Sequence, residues 1–250
     1  MSLAPEEVER YARHIVLHEI GGPGQQRLRA ARVLVVGAGG LGSPALLYLA
    51  AAGVGAITLV DDDAVALSNL QRQVLFGTAD LGRPKAEAAR EALARLNPHV
   101  AVEARALRLD AGNAPALVAG QDLVLDGCDN FATRYAVNAA CVATGVPLIA
   151  AAMSQWEGQI SLYDPARGAP CYACVFPVPP AAGLAPSCAE AGVVGALPGV
   201  MGSMMALEAI KHLARAGTGL AGILLIYDGL NAETRRIRIS RRPGCAVCGG

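Results

Sequence analysis

Four of the seven cysteines fall in two pairs, Cys171-x-x-Cys174 and Cys245-x-x-Cys248. Thiolates at this spacing are ligands for tetrahedral zinc, and four of them leave the metal no open position. Such a site is structural, and here it would fasten the C-terminal tail to the chain after residue 170. Two unrelated redox or buried pairs are the other reading of the same spacing. Cys128 and Cys141 fall at a strand end and inside a helix, where a small buried side chain is sufficient explanation. Cys188 follows the Pro-rich run 176–186. It reads either as an exposed nucleophilic thiolate or as a small buried residue.

A second constellation is suited to phosphates. Gly37-x-Gly39-Gly40-x-Gly42 stands between an apolar strand-like run and an apolar helix. Glycines there permit a tight turn and let phosphate oxygens approach N–H groups at a helix N-terminus. Asp61 ends the next strand, where a carboxylate can bind ribose hydroxyls, and Asp63 follows it. The loop and Asp61 alone do not separate NAD from ATP.

Ser68-Asn69-Leu70-Gln71-Arg72-Gln73 narrows the choice. It lies just beyond the strand that carries Asp61, on the edge where ligands bind in such sheets. Arg72 can bond phosphate bidentately, and Lys85 at the start of a helix adds a compact ammonium. Only two of the twenty-one basic residues are lysines, Lys85 and Lys211. A solvated basic pair is the alternative for Arg72 and Lys85, but behind a glycine loop a triphosphate clamp fits better. Asp126 and Asp129-Asn130 end a further strand. A carboxylate there can hold Mg²⁺ against phosphates, and an N-cap for the helix from Phe131 is the competing role. The four histidines have no metal-ligand spacing.

The elements that position these residues follow from apolar patterning. Val33–Val36 is a continuous apolar run, as a parallel strand buried on both faces requires; Ile57–Val60, Leu123–Leu125 and Val146–Ala150 read as further strands, and Val100–Leu107 alternates like one. Helices are expected to about Ala52, over Pro84–Leu96 and over Phe131–Thr144. This alternation predicts an α/β fold: a doubly wound, Rossmann-like, mostly parallel sheet. Strands at Gly158–Tyr163, Ile223–Tyr227 and Thr234–Ile239, with a helix from about Gly199 to Ala214, predict its continuation by antiparallel strands. At the N-terminus, one helix over 5–18, a break at Gly21–Gly24 and a short helix from Gln25 to Arg32 are expected. A single domain over 1–250 results, with an N-terminal helical arm (1–32), a nucleotide-binding half (33–150) and a second half (151–250).

Composition excludes several classes. The 250 residues are 53% hydrophobic and 17% charged, enough for a sizeable core, and basic and acidic residues balance at 21 each. Neutrality gives no pull toward nucleic acid or an anionic membrane. No apolar run reaches the roughly 18 residues of a membrane span, and the N-terminus does not read as a signal peptide, so a cytoplasmic location is expected.

Taken together, these residues resemble the MoeB/ThiF/HesA family, bacterial relatives of ubiquitin-activating enzymes, with MoeB the nearer type. The resemblance runs through Arg10-Tyr11-x-Arg13, Gly-Ala-Gly-Gly-Leu-Gly at 37–42, Asp61-x-Asp63, Asn69 to Gln73, Pro84-Lys85, Asp129-Asn130, Glu157-Gly158-Gln159 and both Cys pairs. It implies ATP-dependent adenylation of the C-terminal Gly-Gly carboxylate of a small ubiquitin-like sulfur carrier of the MoaD or ThiS type. By this similarity, Gly40 lies on ATP, Asp61 binds ribose, Asn69, Arg72 and Lys85 hold phosphates, and Asp129 handles Mg²⁺. Arg13 reaches the other subunit of a homodimer. Cys188 would serve sulfur transfer only, and the second half would bind carrier and zinc. No rhodanese-like extension follows residue 250, so a separate sulfur donor protein is expected. His14 stands where the family often has Gln, and Ser187 replaces a common Thr. Two other classes remain: an NAD-dependent dehydrogenase, which leaves Asn69 to Lys85 without a task, and a non-catalytic zinc-bearing scaffold for a ubiquitin-like partner.

Overall fold

The structure, a computed structural model, describes residues 3–181 and 188–249; the side chains of Cys188 and Ala189 lie outside what is described. One eight-stranded sheet organises the chain. Its strands are β1 (Arg32–Val36), β2 (Ala56–Val60), β3 (Ala101–Arg105), β4 (Leu123–Asp126), β5 (Leu148–Ser154), β6 (Glu157–Tyr163), β7 (Ile223–Asp228) and β8 (Glu233–Arg238). They lie in the order β3-β2-β1-β4-β5-β6-β7-β8. Pairing is parallel through β5, and β6 to β8 join antiparallel. This is the expected doubly wound sheet with its antiparallel continuation. The chain leaves β1 toward β2 on one side and returns to β4 on the other, so a crevice opens beyond the C-terminal ends of β1 and β4.

The helices are α1 (Pro5–Arg10), α2 (Ala12–Ile15), α3 (Gly21–Ala30), α4 (Gly42–Ala51), α5 (Lys85–Leu96), α6 (Ala114–Val118), α7 (Phe131–Thr144), α8 (Tyr172–Val175), α9 (Cys188–Ala191) and α10 (Ala196–Ala214). They cover both sheet faces. Val33 and Val35 of β1 enter one core with Leu46 and Leu49 of α4, Leu93 of α5 and Met205 of α10. Leu34 and Val36 enter the other with Val137 and Cys141 of α7 and Tyr172 of α8. Burial on both faces is why β1 reads as an unbroken apolar run, each such side chain contributing about 1.5–3 kcal/mol.

The N-terminal region departs from expectation. Residues 5–18 form two short helices, not one. The Gly21–Gly24 stretch begins α3 and does not break the chain, because the first helical turn donates no intrahelical bonds and Pro23 costs none there. Arg32 belongs to β1. The α10 helix begins at Ala196, earlier than expected, with Pro198 in its first turn. The short helices α6 and α8 carry too few residues to show a period.

Candidate functional site

The β1–α4 connection is built so that only glycine fits at two points. Gly37 has φ +90°, and a Cβ on Gly42 would collide with the Gly37 carbonyl oxygen. Gly40 approaches Pro198 and Met153, where a Cβ would come within 3.1 Å and 3.3 Å of them. The loop is pinned by its neighbours. Gly37 N–H donates to the Val60 carbonyl (2.8 Å), and Ser43 Oγ donates to the Ala38 carbonyl (2.9 Å).

Asp61, at the end of β2, is tied to this loop. Its Oδ2 accepts from Ala38 N–H (2.7 Å) and its Oδ1 from Asp63 N–H (2.9 Å). Burial pushes its carboxyl above the ordinary value, against the lowering effect of those N–H groups and of Lys85. The carboxylates of Asp61, Asp62 and Asp63 all lie within 4.8 Å of one another. Lys85 supplies the countercharge: its Nζ stands 2.7 Å from Asp63 Oδ2, and its N–H donates to the Asp63 carbonyl (2.9 Å).

The 68–73 segment forms a tight turn beside the loop. Asn69 Oδ1 accepts from Ala66 N–H (3.3 Å), and Arg72 Nη1 donates to the Ser68 carbonyl (2.9 Å). Ser68 and Gln71 are exposed, whereas Leu70 packs on the core below. Gly195, just before α10, must lack a side chain because the Gln71 backbone passes against it. Gln73 is buried, and its Nε2 would lie 3.7 Å from a Cβ on Gly39; its Oε1 has no hydrogen-bond partner among the described residues.

Beyond β4, the competing roles for the acidic residues separate. Asn130 is the N-cap of α7, its Oδ1 accepting from Thr133 N–H (2.9 Å). Asp129 is exposed and pairs with no cation among the described residues. Asp126 is not free for a metal. It is fully buried, its Oδ1 accepts from Cys128 N–H, and Arg134 Nε stands 3.2 Å from Oδ2, out of line for a hydrogen bond. Sequence reasoning missed Arg134, because a single arginine in a helix reads as a surface residue. Burial works against its charge, yet Asp126 beside it holds the guanidinium above its ordinary value. Burial and Asp126 push the Cys128 thiol well up, which leaves it no thiolate character.

The two Cys pairs meet at a separate place, between α8 and the C-terminal tail. Sγ separations are 3.8 Å for Cys171–Cys174, 3.8 Å for Cys171–Cys245 and 3.4 Å for Cys174–Cys248, and all four atoms lie within 4.8 Å of one another. A zinc–sulfur bond of about 2.3 Å gives tetrahedral edges of about 3.8 Å, whereas a disulfide needs about 2.05 Å. The thiols are therefore spaced as metal ligands. Burial raises Cys171 and Cys174. Burial also pushes on Cys245, but the Cys248 and Val247 N–H groups and the neighbouring thiols outweigh it and lower that thiol to about 6.

Arg13 sits far from the glycine loop of its own chain. The arm that bears it docks at the C-terminal ends of α4 and α5: Asn97 Nδ2 donates to Tyr11 Oη (2.8 Å), Gln25 Nε2 to the Ala52 carbonyl (2.8 Å) and Arg10 Nη1 to the Leu96 carbonyl (3.1 Å). The loop is at the other end of α4, ten residues or about 15 Å away. Arg13 is exposed, and His14 Nδ1 pairs with Gln25 Oε1 at 3.1 Å. Ser187 and the Cys188 side chain lie outside the described residues. No helix among the described residues is long and apolar enough to cross a membrane.

The chain is similar to known proteins over nearly its whole length. The chain is 50% identical over 253 residues to the sulfur carrier protein adenylyltransferase of Thermus thermophilus, spanning 100% of this chain and 93% of that protein. It is 47% identical over 247 residues to the molybdopterin-synthase adenylyltransferase of Escherichia coli, covering 99% and 98% of the two chains. A crystal structure of E. coli MccB with MccA-N7isoASN superposes with a TM-score of 0.84 at 26% identity, over 97% of this chain and 75% of that one. The family model described as the ThiF family matches residues 11–247, and the chain belongs to that family.

Proposed function

We propose that the protein adenylates the C-terminal Gly-Gly carboxylate of a ubiquitin-like sulfur carrier with ATP, releasing pyrophosphate, for molybdopterin or thiamine biosynthesis. The observation that carries this reading is the setting of the glycine loop: Asp61 accepts from Ala38 N–H, Lys85 pairs with Asp63 two residues further on, Gln73 of the 68–73 turn lies against Gly39, and Gly127 beyond β4 lies against Gly37. Residues 33–150 hold the nucleotide, and residues 151–250 receive the carrier and bear the thiolate site.

The chemistry asks for placement and charge, not for a base. A carboxylate oxygen of the carrier attacks the α-phosphorus; the bond from that phosphorus to the bridging oxygen breaks, and pyrophosphate leaves with the electron pair. The nucleophile is already ionised, so positioning and neutralisation of the triphosphate supply the rate. The Gly37, Gly39, Gly40 and Gly42 backbone cradles the nucleotide, and Asp61 accepts from ribose while it holds the loop. Ser68, Asn69, Leu70, Gln71 and Arg72 shape the phosphate side, with Lys85 and Asp63. Asp129 offers a carboxylate to Mg²⁺, which neutralises phosphate charge when bound. Asn130 keeps that carboxylate at a helix start.

The thiolate cluster fits one structural zinc per chain, since four sulfurs at tetrahedral spacing leave no open position. Arg13 acts on the other subunit of a homodimer: its arm is anchored about 15 Å from its own loop. The apolar groove lined by Leu47, Tyr48 and Val200, between α4 and α10, is the face we assign to the second copy. Sulfur comes from a separate donor protein. Incubation with ATP, Mg²⁺ and a purified carrier ending in Gly-Gly should yield pyrophosphate and a carrier whose intact mass has gained one adenylate. An unmodified carrier alongside NAD-dependent oxidation of any alcohol would overturn the proposal.

A further inference from the structure

The Arg134 side chain lies inside the protein with no part in the chemistry described so far. It occupies the first turn of α7. Its Nη2 donates to the Cys128 carbonyl and to the Ala151 carbonyl of β5, each at 2.8 Å. Its Nε faces Asp126 Oδ2 at 3.2 Å. Asp126 in turn accepts from Cys128 N–H at 2.9 Å. The ion pair thus grips one peptide residue from both sides, N–H through Asp126 and C=O through Arg134. The guanidinium stands 5.6 Å from the centroid of the Tyr172 ring, which closes that side of the pocket.

The gripped residue is the one before Asp129. Asp129 has no hydrogen bond or ion pair of its own among the described residues, and Asn130 is fixed on the far side by capping α7. Among the described residues, the Cys128 clamp and the Asn130 cap are therefore the hydrogen bonds that fix the backbone on either side of Asp129. Ala151 ties the same guanidinium to the neighbouring strand, so the clamp is referenced to the sheet and not to the loop alone.

We propose that Arg134 is a positioning residue for Asp129: with Asp126 it clamps the backbone of Cys128 and sets where the Asp129 carboxylate meets the metal–triphosphate. This rests on the reading of Asp129 as the Mg²⁺ carboxylate. A planar guanidinium donates to two carbonyls while its charge stands beside Asp126; a lysine ammonium at the same place can keep that charge but not the fixed geometry toward both carbonyls.

The test compares Arg134→Lys, Asp129→Asn and the double variant in the full-length enzyme, each checked for bound zinc. The Mg²⁺ concentration that half-saturates pyrophosphate exchange should rise about tenfold in Arg134→Lys, with the KM for carrier within twofold. Amide hydrogen exchange should speed up at Asp129. The double variant should be no worse than Asp129→Asn alone, because a residue that acts through another loses its effect when the other is gone. Additive losses, or an unchanged Mg²⁺ requirement in Arg134→Lys, would overturn the proposal. Should Asp129→Asn itself leave the Mg²⁺ requirement unchanged, the reading of Asp129 falls and the clamp with it; a shift in Asp129→Asn alone sinks only the clamp. If Arg134→Lys does not fold, Tyr172→Leu decides. It leaves the ion pair and removes the ring beside it, and a two- to fivefold rise in the Mg²⁺ requirement is expected, no rise contradicting the clamp.

Discussion

Lys85 Nζ and Asp63 Oδ2 form an ion pair at 2.7 Å in which the lysine side chain is 5% exposed and the aspartate 67% exposed. The ammonium stem is packed away while its partner stands in water. Screening makes the exposed half of the pair worth little to stability, so the pairing is better understood as holding the ammonium in place for a phosphate. Lys85→Gln should lower ATP–pyrophosphate exchange by about 10²–10³, or about 2.7–4 kcal/mol, as for loss of other preorganised charge-stabilising groups. Asp63→Asn should cost less than about tenfold. Steady-state exchange of both variants checks this, and a Lys85→Gln enzyme within threefold of wild type would contradict it.

Asp61 makes a prediction about pH. Its carboxyl is raised above 3.8, chiefly by burial. The stability linked to this raised group is present below 3.8 and is lost as pH rises through its folded value. Nucleotide affinity has the opposite sign, because a protonated carboxyl cannot accept from the Ala38 and Asp63 N–H groups and from ribose together. The KM for ATP should therefore rise as pH falls, at higher pH than an unshifted aspartate would give, and that limb should vanish in Asp61→Asn. An identical acid limb in the variant would assign the titration elsewhere.

Metal content tests the thiolate cluster. Protein purified without chelator should carry one zinc per chain, and Cys248→Ser should lose it. Because metal binding and folding are coupled, a loss of roughly 2 kcal/mol or more is expected, about 4–8 °C in Tm for a chain this size. Exchange activity below that temperature should stay within a few-fold. Zinc-free wild-type protein of unchanged Tm would remove the assignment.

Arg13 can be tested by mixing. Arg13→Ala and Asp129→Ala chains should each be impaired alone, and their heterodimers should recover part of the activity through the one site that combines an intact Arg13 with an intact Asp129. Verified heterodimers without recovery would mean that Arg13 acts within its own chain or not at all.

Much of this arrangement is legible in the sequence. The α7 helix falls on Phe131–Thr144 as expected because both its ends are written locally, Asn130 as the cap and Gly145 in the left-handed region at φ +71°. The β1 strand announces itself by the unbroken apolar run Val33–Val36. Gly21–Gly24 misled, since glycine and proline mark a helix start as readily as a break. Within the site, the glycine loop, Lys85 and the Cys pairs carry their chemistry in local spacing. What stayed hidden depends on distant partners: Lys85 with Asp63, and Asp126 with Arg134. Asp126 looks like a metal carboxylate from its strand-end position, and only the packing of α7 against β4 reveals its cation.

The most direct measurement of the central claim is exchange of labelled pyrophosphate into ATP with and without a carrier. Reversible formation of an acyl-adenylate requires a free carboxylate at the end of a Gly-Gly tail and nothing else from the carrier's chemistry. We expect exchange to appear only when such a carrier is added, and to disappear when the final glycine is removed or amidated. Exchange independent of any carrier, or none with several Gly-Gly carriers under saturating ATP and Mg²⁺, would contradict the account.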